Sequence, residues 1–229
     1  MDISMPALAK KDISHVARSA AVSSKGDTMA TASPIRRAVA GDVEHAADIL
    51  SAASENDPFV AWMFPESQSR RRRVRQIFLL FVLSRFQVDR HCYIADHGAA
   101  VWVAPGAWKM STWQELQAIP GLAGTAGRSL PRALYGGAVL EQHHPEEPLH
   151  WYLEAMGVAP GYQGRGIGSR LVEPMLERCD AESWPAYLET ANARNLGLYE
   201  RLGFRVSEDF QLRRGPRIWT MWREPMTGR

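Results

Sequence analysis

The residues from Val158 to Gly168, V-A-P-G-Y-Q-G-R-G-I-G, combine an apolar run, a proline and three glycines at alternate positions, Gly164, Gly166 and Gly168. Glycines so spaced let several backbone N–H groups turn toward one ligand and approach it closely. A helical pattern follows at once, so the partial positive charge of a helix N-terminus lies at the same place. The chemistry on offer is the cradling of a phosphate or pyrophosphate by Gln163, Gly164, Arg165, Gly166, Ile167, Gly168 and Ser169. The dinucleotide fingerprint G-x-G-x-x-G fails on register, because the spacing here is G-x-G-x-G. A Walker loop fails too, since Gly168 is followed by Ser169 and Arg170 rather than by a lysine.

The elements that must position this turn can be read from periodicity. His150 to Val158 predicts a strand, and Ile167, Leu171, Val172, Met175, Leu176 and Cys179 predict one apolar face of the helix after it. Upstream, Ile35 to Val39 predicts a first strand and Val43 to Ala53 a helix with Asp42 as N-cap. Phe59 to Pro65 is apolar and aromatic between two prolines, and a second helix is expected over about 66–86. His91 to Ala95 and Ala99 to Val103 predict two strands joined by a tight turn at Asp96-His97-Gly98. Ser111 to Glu115 has the form of a capped helix start, Gly121 to Gly127 that of a flexible link, and 128–142 that of a helix interrupted by Gly136-Gly137. Ala186 to Thr190, Val206 to Leu212 and Arg217 to Trp222 are further strands, with a short helix over 195–202 ended by Gly203.

A second segment, residues 187–204, reads Y-L-E-T-A-N-A-R-N-L-G-L-Y-E-R-L-G-F. Gln163-x-x-Gly166-x-Gly168, followed in order by Asn192, Asn195, Leu198, Tyr199, Glu200, Arg201, Gly203 and Phe204, resembles the two signatures of the GNAT acetyltransferases. The resemblance covers roughly 34–224 and is strongest over 148–224. Within that superfamily, H-H-P-E-E-P at 143–148, W-Y-L-E-A-M-G-V at 151–158, Pro174 and G-P-R-I-W-T-M at 215–221 most resemble the puromycin N-acetyltransferase-like members.

The resemblance implies an α/β (α+β) GNAT fold with a central mixed, mostly antiparallel sheet of about seven strands, flanked by helices and splayed between the fourth and fifth strands. It implies acetyl-CoA as co-substrate, no metal, and transfer of an acetyl group to the amine of a small molecule. By position in the family, Tyr199 is the acid that protonates the leaving thiolate, as a phenol can. Met156, Gly157 and Val158 lie where the splayed strand pairs with pantetheine and the acetyl carbonyl. Gly157 in mid-strand also signals a bulge or a close approach. Asn192 corresponds to a pantetheine contact and Asn195 supports it, although relatives often carry alanine at Asn195.

Strict alternation would place Tyr152, Glu154 and Met156 on one face, making Glu154 the carboxylate candidate for general base. His143 and His144 are alternatives by their ordinary titration range. The resemblance also implies that Phe59, Trp62, Trp102 and Tyr152 line the acceptor pocket, with Phe64, Trp108, Trp113 and Trp151 in the same aromatic-rich segments that bound it in the family. Asp57 could meet an ammonium, or serve only as a turn before Pro58.

A formal net charge of +2 gives no global electrostatic case for nucleic acid or a membrane surface. Arg70 to Arg73 and Arg75 wrap around a helix rather than form a stripe, which favours a solvated face over a phosphate contact. The longest apolar run, Ile77 to Leu83, is too short to span a bilayer. Cys92 and Cys179 have neither disulfide-framework nor metal spacing, as suits a cytoplasmic protein. Residues 1–33 are expected to be a loosely packed extension, aromatic-free over 1–28, and 34–229 a single domain, monomeric or homodimeric. The competing readings are a protein acetyltransferase acting on lysines or N-termini and a non-catalytic acyl-CoA sensor.

Overall fold

The computed structural model describes residues 34–88, 91–109 and 120–226, with side chains throughout except over 81–88. All of these fall in the unit Ser33–Arg229. The extension at 1–33, the capped helix start at Ser111 and Trp113 lie outside the described residues.

Seven strands form one sheet in the order β1-β2-β3-β4-β5-β7-β6. They are β1 (Arg36–Arg37), β2 (Cys92–Ala95), β3 (Gly98–Val103), β4 (Trp151–Val158), β5 (Ala186–Thr190), β6 (Arg205–Gln211) and β7 (Arg217–Arg223). Every neighbouring pair is antiparallel except β4 and β5, which run parallel. The helices are α1 (Val43–Ser54), α2 (Pro58–Met63), α3 (Ser67–Val88), α4 (described over 120–126), α5 (Leu130–His143), α6 (Ile167–Ala181) and α7 (Ala193–Arg201). Phe59 to Pro65 thus contains a helix, because Asp57 caps it and Pro58 supplies a preset φ at its first position. Residues 121–126, expected to be a flexible link, are helical, and a 3-10 turn at Gly127–Ser129 leads into α5.

Both sheet faces are covered, so β3 is buried at every position and its side chains alternate between two cores. Ala100 and Trp102 face α6, packing with Leu171, Val172 and Met175, whereas Ala99 and Val101 face α1, packing with Ala46, Ile49 and Leu50. The cross-strand register places Val101 opposite Ala155 but Trp102 opposite Leu153, so Glu154 is the extra residue of a β-bulge. The bulge reverses the parity of β4. Trp151 and Leu153 face α6 before it, and Met156 and Val158 face α6 after it. Met156 therefore does not share a face with Tyr152, contrary to strict alternation. Gly157 is a close approach rather than the bulge, since a Cβ there would sit 2.7 Å from Ala53 Cβ on α1.

The arginines of α3 bind the helical layer together. Arg70 donates to the carbonyls of Glu55, Phe64 and Pro65, Arg73 donates to that of Ala126 at 2.7 Å, and Arg75 pairs with Glu44 and Asp48. On the other side of the molecule, the buried Arg223 of β7 forks onto Asp180 of α6 at 2.7 and 2.8 Å. It also donates to Leu202 O at the end of α7, and the Met226 N–H closes onto Asp180.

Two stability predictions follow from these contacts. Gly157→Ala forces α1 away from β4 and should cost about 1–3 kcal/mol in urea unfolding, as overpacked cores do; an unchanged midpoint would contradict the close contact. Asp180→Ala leaves a buried guanidinium uncompensated and should cost about 3 kcal/mol, or roughly 6–12 °C in Tm. The Arg223 guanidinium holds the Asp180 carboxyl below its ordinary value of 3.8. Its contribution is therefore complete above the unfolded-state value and is lost as pH falls through the lower folded value. The wild-type advantage should shrink only in that acid range, as thermal melts at stepped pH would show.

Candidate active site

Two cavities meet at the open edge of β4. Pairing with β5 is confined to Trp151–Ala186 and Tyr152–Tyr187, so the two parallel strands part beyond Tyr152. One edge of β4 from Leu153 to Val158 is thereby left without a strand partner.

The larger cavity, about 650 Å³, lies over the glycine turn. Met156, Gly157 and Val158 form one wall, and Gln163, Gly164, Gly166, Ile167, Gly168 and Ser169 form the other. Gly164 and Gly166 have φ of +74° and +75°, which only glycine adopts without strain, and Gly166 is the N-cap of α6. The Gln163 side chain donates to Val158 O at 3.1 Å and ties the turn to the end of β4. Arg165 does not line this cavity. It folds back to donate to Gly161 O and lies over the Tyr162 ring at 5.1 Å. The cations that do line it are Arg194 and Arg201 of α7; Arg201 belongs to the second motif, whereas the motif spacing did not single out Arg194. Asn192 lines the cavity too, and its side-chain oxygen caps α7 by accepting from Arg194 N at 3.1 Å.

The smaller cavity, about 260 Å³, lies between α2, α3, α5 and the parted strands. Phe59, Val60, Met63, Phe64, Ile77 and Phe78 give it apolar walls; Tyr152, Glu154, Glu189 and Tyr199 give it a polar floor. Ser54, Asp57, Met156 and Asn195 line both cavities and mark the junction between them. Asp57 caps α2 by accepting from Phe59 N and Val60 N, and burial pushes its carboxyl up from the ordinary value. Tyr199 is 6% exposed, its ring edge-on to Phe204, and burial pushes its phenol above 10. A phenol so placed stays protonated at neutral pH and can act as an acid, not as a base.

The aromatic expectations divide. Phe59, Phe64 and Tyr152 line the smaller cavity. Trp62 stands one layer behind, against Phe59 at 5.9 Å and Tyr135 at 6.1 Å. A side chain at Gly136 would press on both Phe59 and Trp62, which explains a glycine inside α5. Trp102 is not a pocket residue. It is fully buried on the α6 face, and its indole N–H has no partner among the described residues. Trp151 lies in the same core, under Arg178. Aromatics suit either face of a covered sheet, so residue type alone could not separate these sites.

The histidines also differ from expectation. His143 stacks on Phe210 and pairs with Glu208, at the surface. His144 is buried, stacked on Trp108 at 3.8 Å, with Nδ1 3.3 Å from Glu189 Oε1 and Nε2 3.0 Å from His150 Nε2. The Tyr152 and Tyr187 phenols, raised first by burial, stand close enough to Glu189 to be raised by its charge too, and the Tyr187 hydroxyl donates to His143 O at 3.4 Å. Sequence reasoning missed Glu189. Its one signal was its alternation with Tyr187 along β5, which points it to the face opposite Leu188.

The two cavities therefore provide an anion-binding turn, an open strand edge, a buried phenol and carboxylates at one junction. Comparison with known proteins agrees with that chemistry. Residues 64–204, more than half of the chain, match the Acetyltransferase (GNAT) family. An uncharacterized N-acetyltransferase of Schizosaccharomyces pombe is 38% identical over 80 residues, covering 34% of this chain and 32% of that protein. The N-alpha-acetyltransferase RimI of Mycobacterium tuberculosis is 32% identical over 112 residues, covering 48% of this chain and 69% of that one. The chain thus spans about a third and about two thirds of the lengths of these two relatives. The crystal structure of histone acetyltransferase HPA2 and related acetyltransferase from Corynebacterium glutamicum shares the fold, with a TM-score of 0.63 at 21% identity, covering 86% of this chain and 99% of that one. The motifs, the parted strands and the family match agree: this chain belongs to the GNAT acetyltransferase family.

Proposed function

We propose that residues 34–229 carry an acetyl-CoA-dependent transferase that acetylates the primary amine of a compact small molecule with an apolar body. The observation that carries this reading is the junction of the two cavities at Met156, Asn195, Ser54 and Asp57. Coenzyme A laid along the glycine turn would bring its thioester to that junction, opposite an amine held in the smaller cavity. Apolar walls suit an aromatic or aliphatic body, and the carboxylates of Glu154, Glu189 and Asp57 suit its ammonium. The resemblance of 143–148 and 215–221 to puromycin N-acetyltransferase-like enzymes supports a small amine, without specifying puromycin. The buried, free Cys92 and Cys179 suit a reducing cytoplasm.

In the reaction, the ammonium gives up a proton to a floor carboxylate, Glu154 or Glu189, and its lone pair attacks the thioester carbonyl. Backbone N–H groups along the open edge of β4 hold the oxyanion. The C–S bond then breaks, Tyr199 protonates the departing thiolate, and the second proton that the nitrogen sheds on becoming an amide restores the Tyr199 phenol. Asn192 and Asn195 face the pantetheine arm.

A second reading, acetylation of a peptide N-terminus, is favoured by the name of the mycobacterial relative. A panel of aromatic and aliphatic amines run beside short peptides, with thiol release as readout, separates the two. Turnover confined to peptides would overturn the small-amine reading.

Tyr199→Phe should lower kcat by about 10²–10⁴ with the KM for acetyl-CoA unchanged, because the hydroxyl acts only as the thiolate leaves. Because its phenol titrates above the ordinary value of 10, the wild-type rate should show no descending limb from Tyr199 below that pH. Calorimetric binding of acetyl-CoA with undiminished turnover in the variant would remove Tyr199 from the mechanism.

A further inference from the structure

Behind the smaller cavity lies a line of polar groups, Glu189, His144, His150 and Pro148 O, of which the transfer reaction as described names only Glu189, as one of two carboxylates that could take the proton. Its protonation follows from donors and acceptors. Pro148 O can only accept, and His150 Nδ1 lies 2.8 Å from it, so that nitrogen carries a proton. Burial holds His150 neutral, which leaves its Nε2 as a lone pair. The two Nε2 atoms are 3.0 Å apart, so the proton between them belongs to His144. One further proton must lie between His144 Nδ1 and Glu189 Oε1, 3.3 Å apart with side chains only 3% and 8% exposed.

Two features place that proton on His144. The Tyr152 and Tyr187 phenols stand beside Glu189, and polar neighbours around a carboxylate favour its charged form. The face of Trp108, stacked at 3.8 Å and 22°, favours a cationic ring. Around the group, Glu147 faces His150, Glu154 faces Tyr152 and Glu208 faces Tyr187. Lys109 lies over the Trp108 ring at 5.8 Å and is itself paired with Glu146.

We infer that Glu189 is the carboxylate that takes the amine's proton, and that His144 and His150 are positioning residues: His144 keeps Glu189 ionised, and His150 fixes the nitrogen of His144 that faces it. This rests on the acetyltransferase reading above. The ammonium N–H bond breaks, its electron pair stays on nitrogen as the attacking lone pair, and the proton bonds to Glu189. Of the three charges present beforehand, on the ammonium, Glu189 and His144, only that on His144 remains, beside a neutral Glu189, and the net charge is unchanged. Without His144, burial would favour protonated Glu189 and disarm it at neutral pH.

The test is the pH profile of kcat/KM on the full chain, with acetyl-CoA and the best amine from the panel. His144→Gln and His150→Leu should each move the acidic limb up by about 1–3 pH units, the size of an opposite charge's effect on a carboxyl. Activity should recover at alkaline pH, and acetyl-CoA binding should stay unchanged. His150→Gln, which keeps an acceptor near Nε2, should retain the wild-type limb. Wild-type profiles in both His144→Gln and His150→Leu, or normal turnover in Glu189→Gln, would overturn the assignment.

Should the variants fail to fold, nitrogen-15 NMR of the histidines in the wild-type protein decides the matter without turnover. His150 must be the neutral Nδ1–H tautomer and His144 must carry two protons between about pH 5 and 8. The opposite tautomer at His150, or a neutral His144, would overturn it. An absence of wild-type turnover on every amine and peptide would instead count against the acetyltransferase reading, and the NMR result would stand apart from it.

Discussion

The parting of β4 from β5 is the constraint on which the site depends. Two parallel strands that pair for two residues and then separate leave backbone donors and acceptors exposed in the middle of a covered sheet. Such groups are costly to bury without partners. In a transferase they can be satisfied by the amide-bearing arm of a cofactor. The bulge at Glu154 belongs to the same solution, because it lets β4 stay paired with β3 while its side chains change faces. Gly157 then lets α1 press close against the strand, bringing Ser54 and Asp57 to the junction of the two cavities.

Around that opening the molecule is braced by charge-assisted contacts to backbone. Arg70 and Arg73 satisfy carbonyls at helix ends, where no intrahelical partner exists. Arg223 does the same for Leu202 O at the end of α7, while its pairing with Asp180 joins β7 to α6. The helix that carries Tyr199 is thus held at one end by the Asn192 cap and at the other by this clamp. Arg70, Arg73 and Arg75 tie helices together while Arg71 and Arg72 are exposed, and the cations facing the larger cavity come from α7.

The floor of the smaller cavity follows a different logic. Its carboxylates and phenols are buried with partners, so their charge states are set by neighbours rather than by solvent. Tyr199 is held neutral by burial, while Glu189 stands beside His144 and the phenols of Tyr152 and Tyr187.

Features carried by local backbone chemistry were legible in the sequence. Gly164 and Gly166 stand where φ is positive, Asn192 caps a helix, and the apolar face of α6 is buried as its 3.6-residue period requires. These signals lie within a few residues of what they specify, so the turn, the second motif and the order of most elements could be read directly. Tertiary structure alone decided the rest. The bulge reversed the parity of β4, because register is settled by the partner strand. Trp102 went to the core and Phe59 to the cavity, because a covered sheet offers apolar surroundings on both faces. Glu189 and His144 are 45 positions apart, and only the tertiary fold brings the C-cap of α5 within 3.3 Å of a carboxylate on β5.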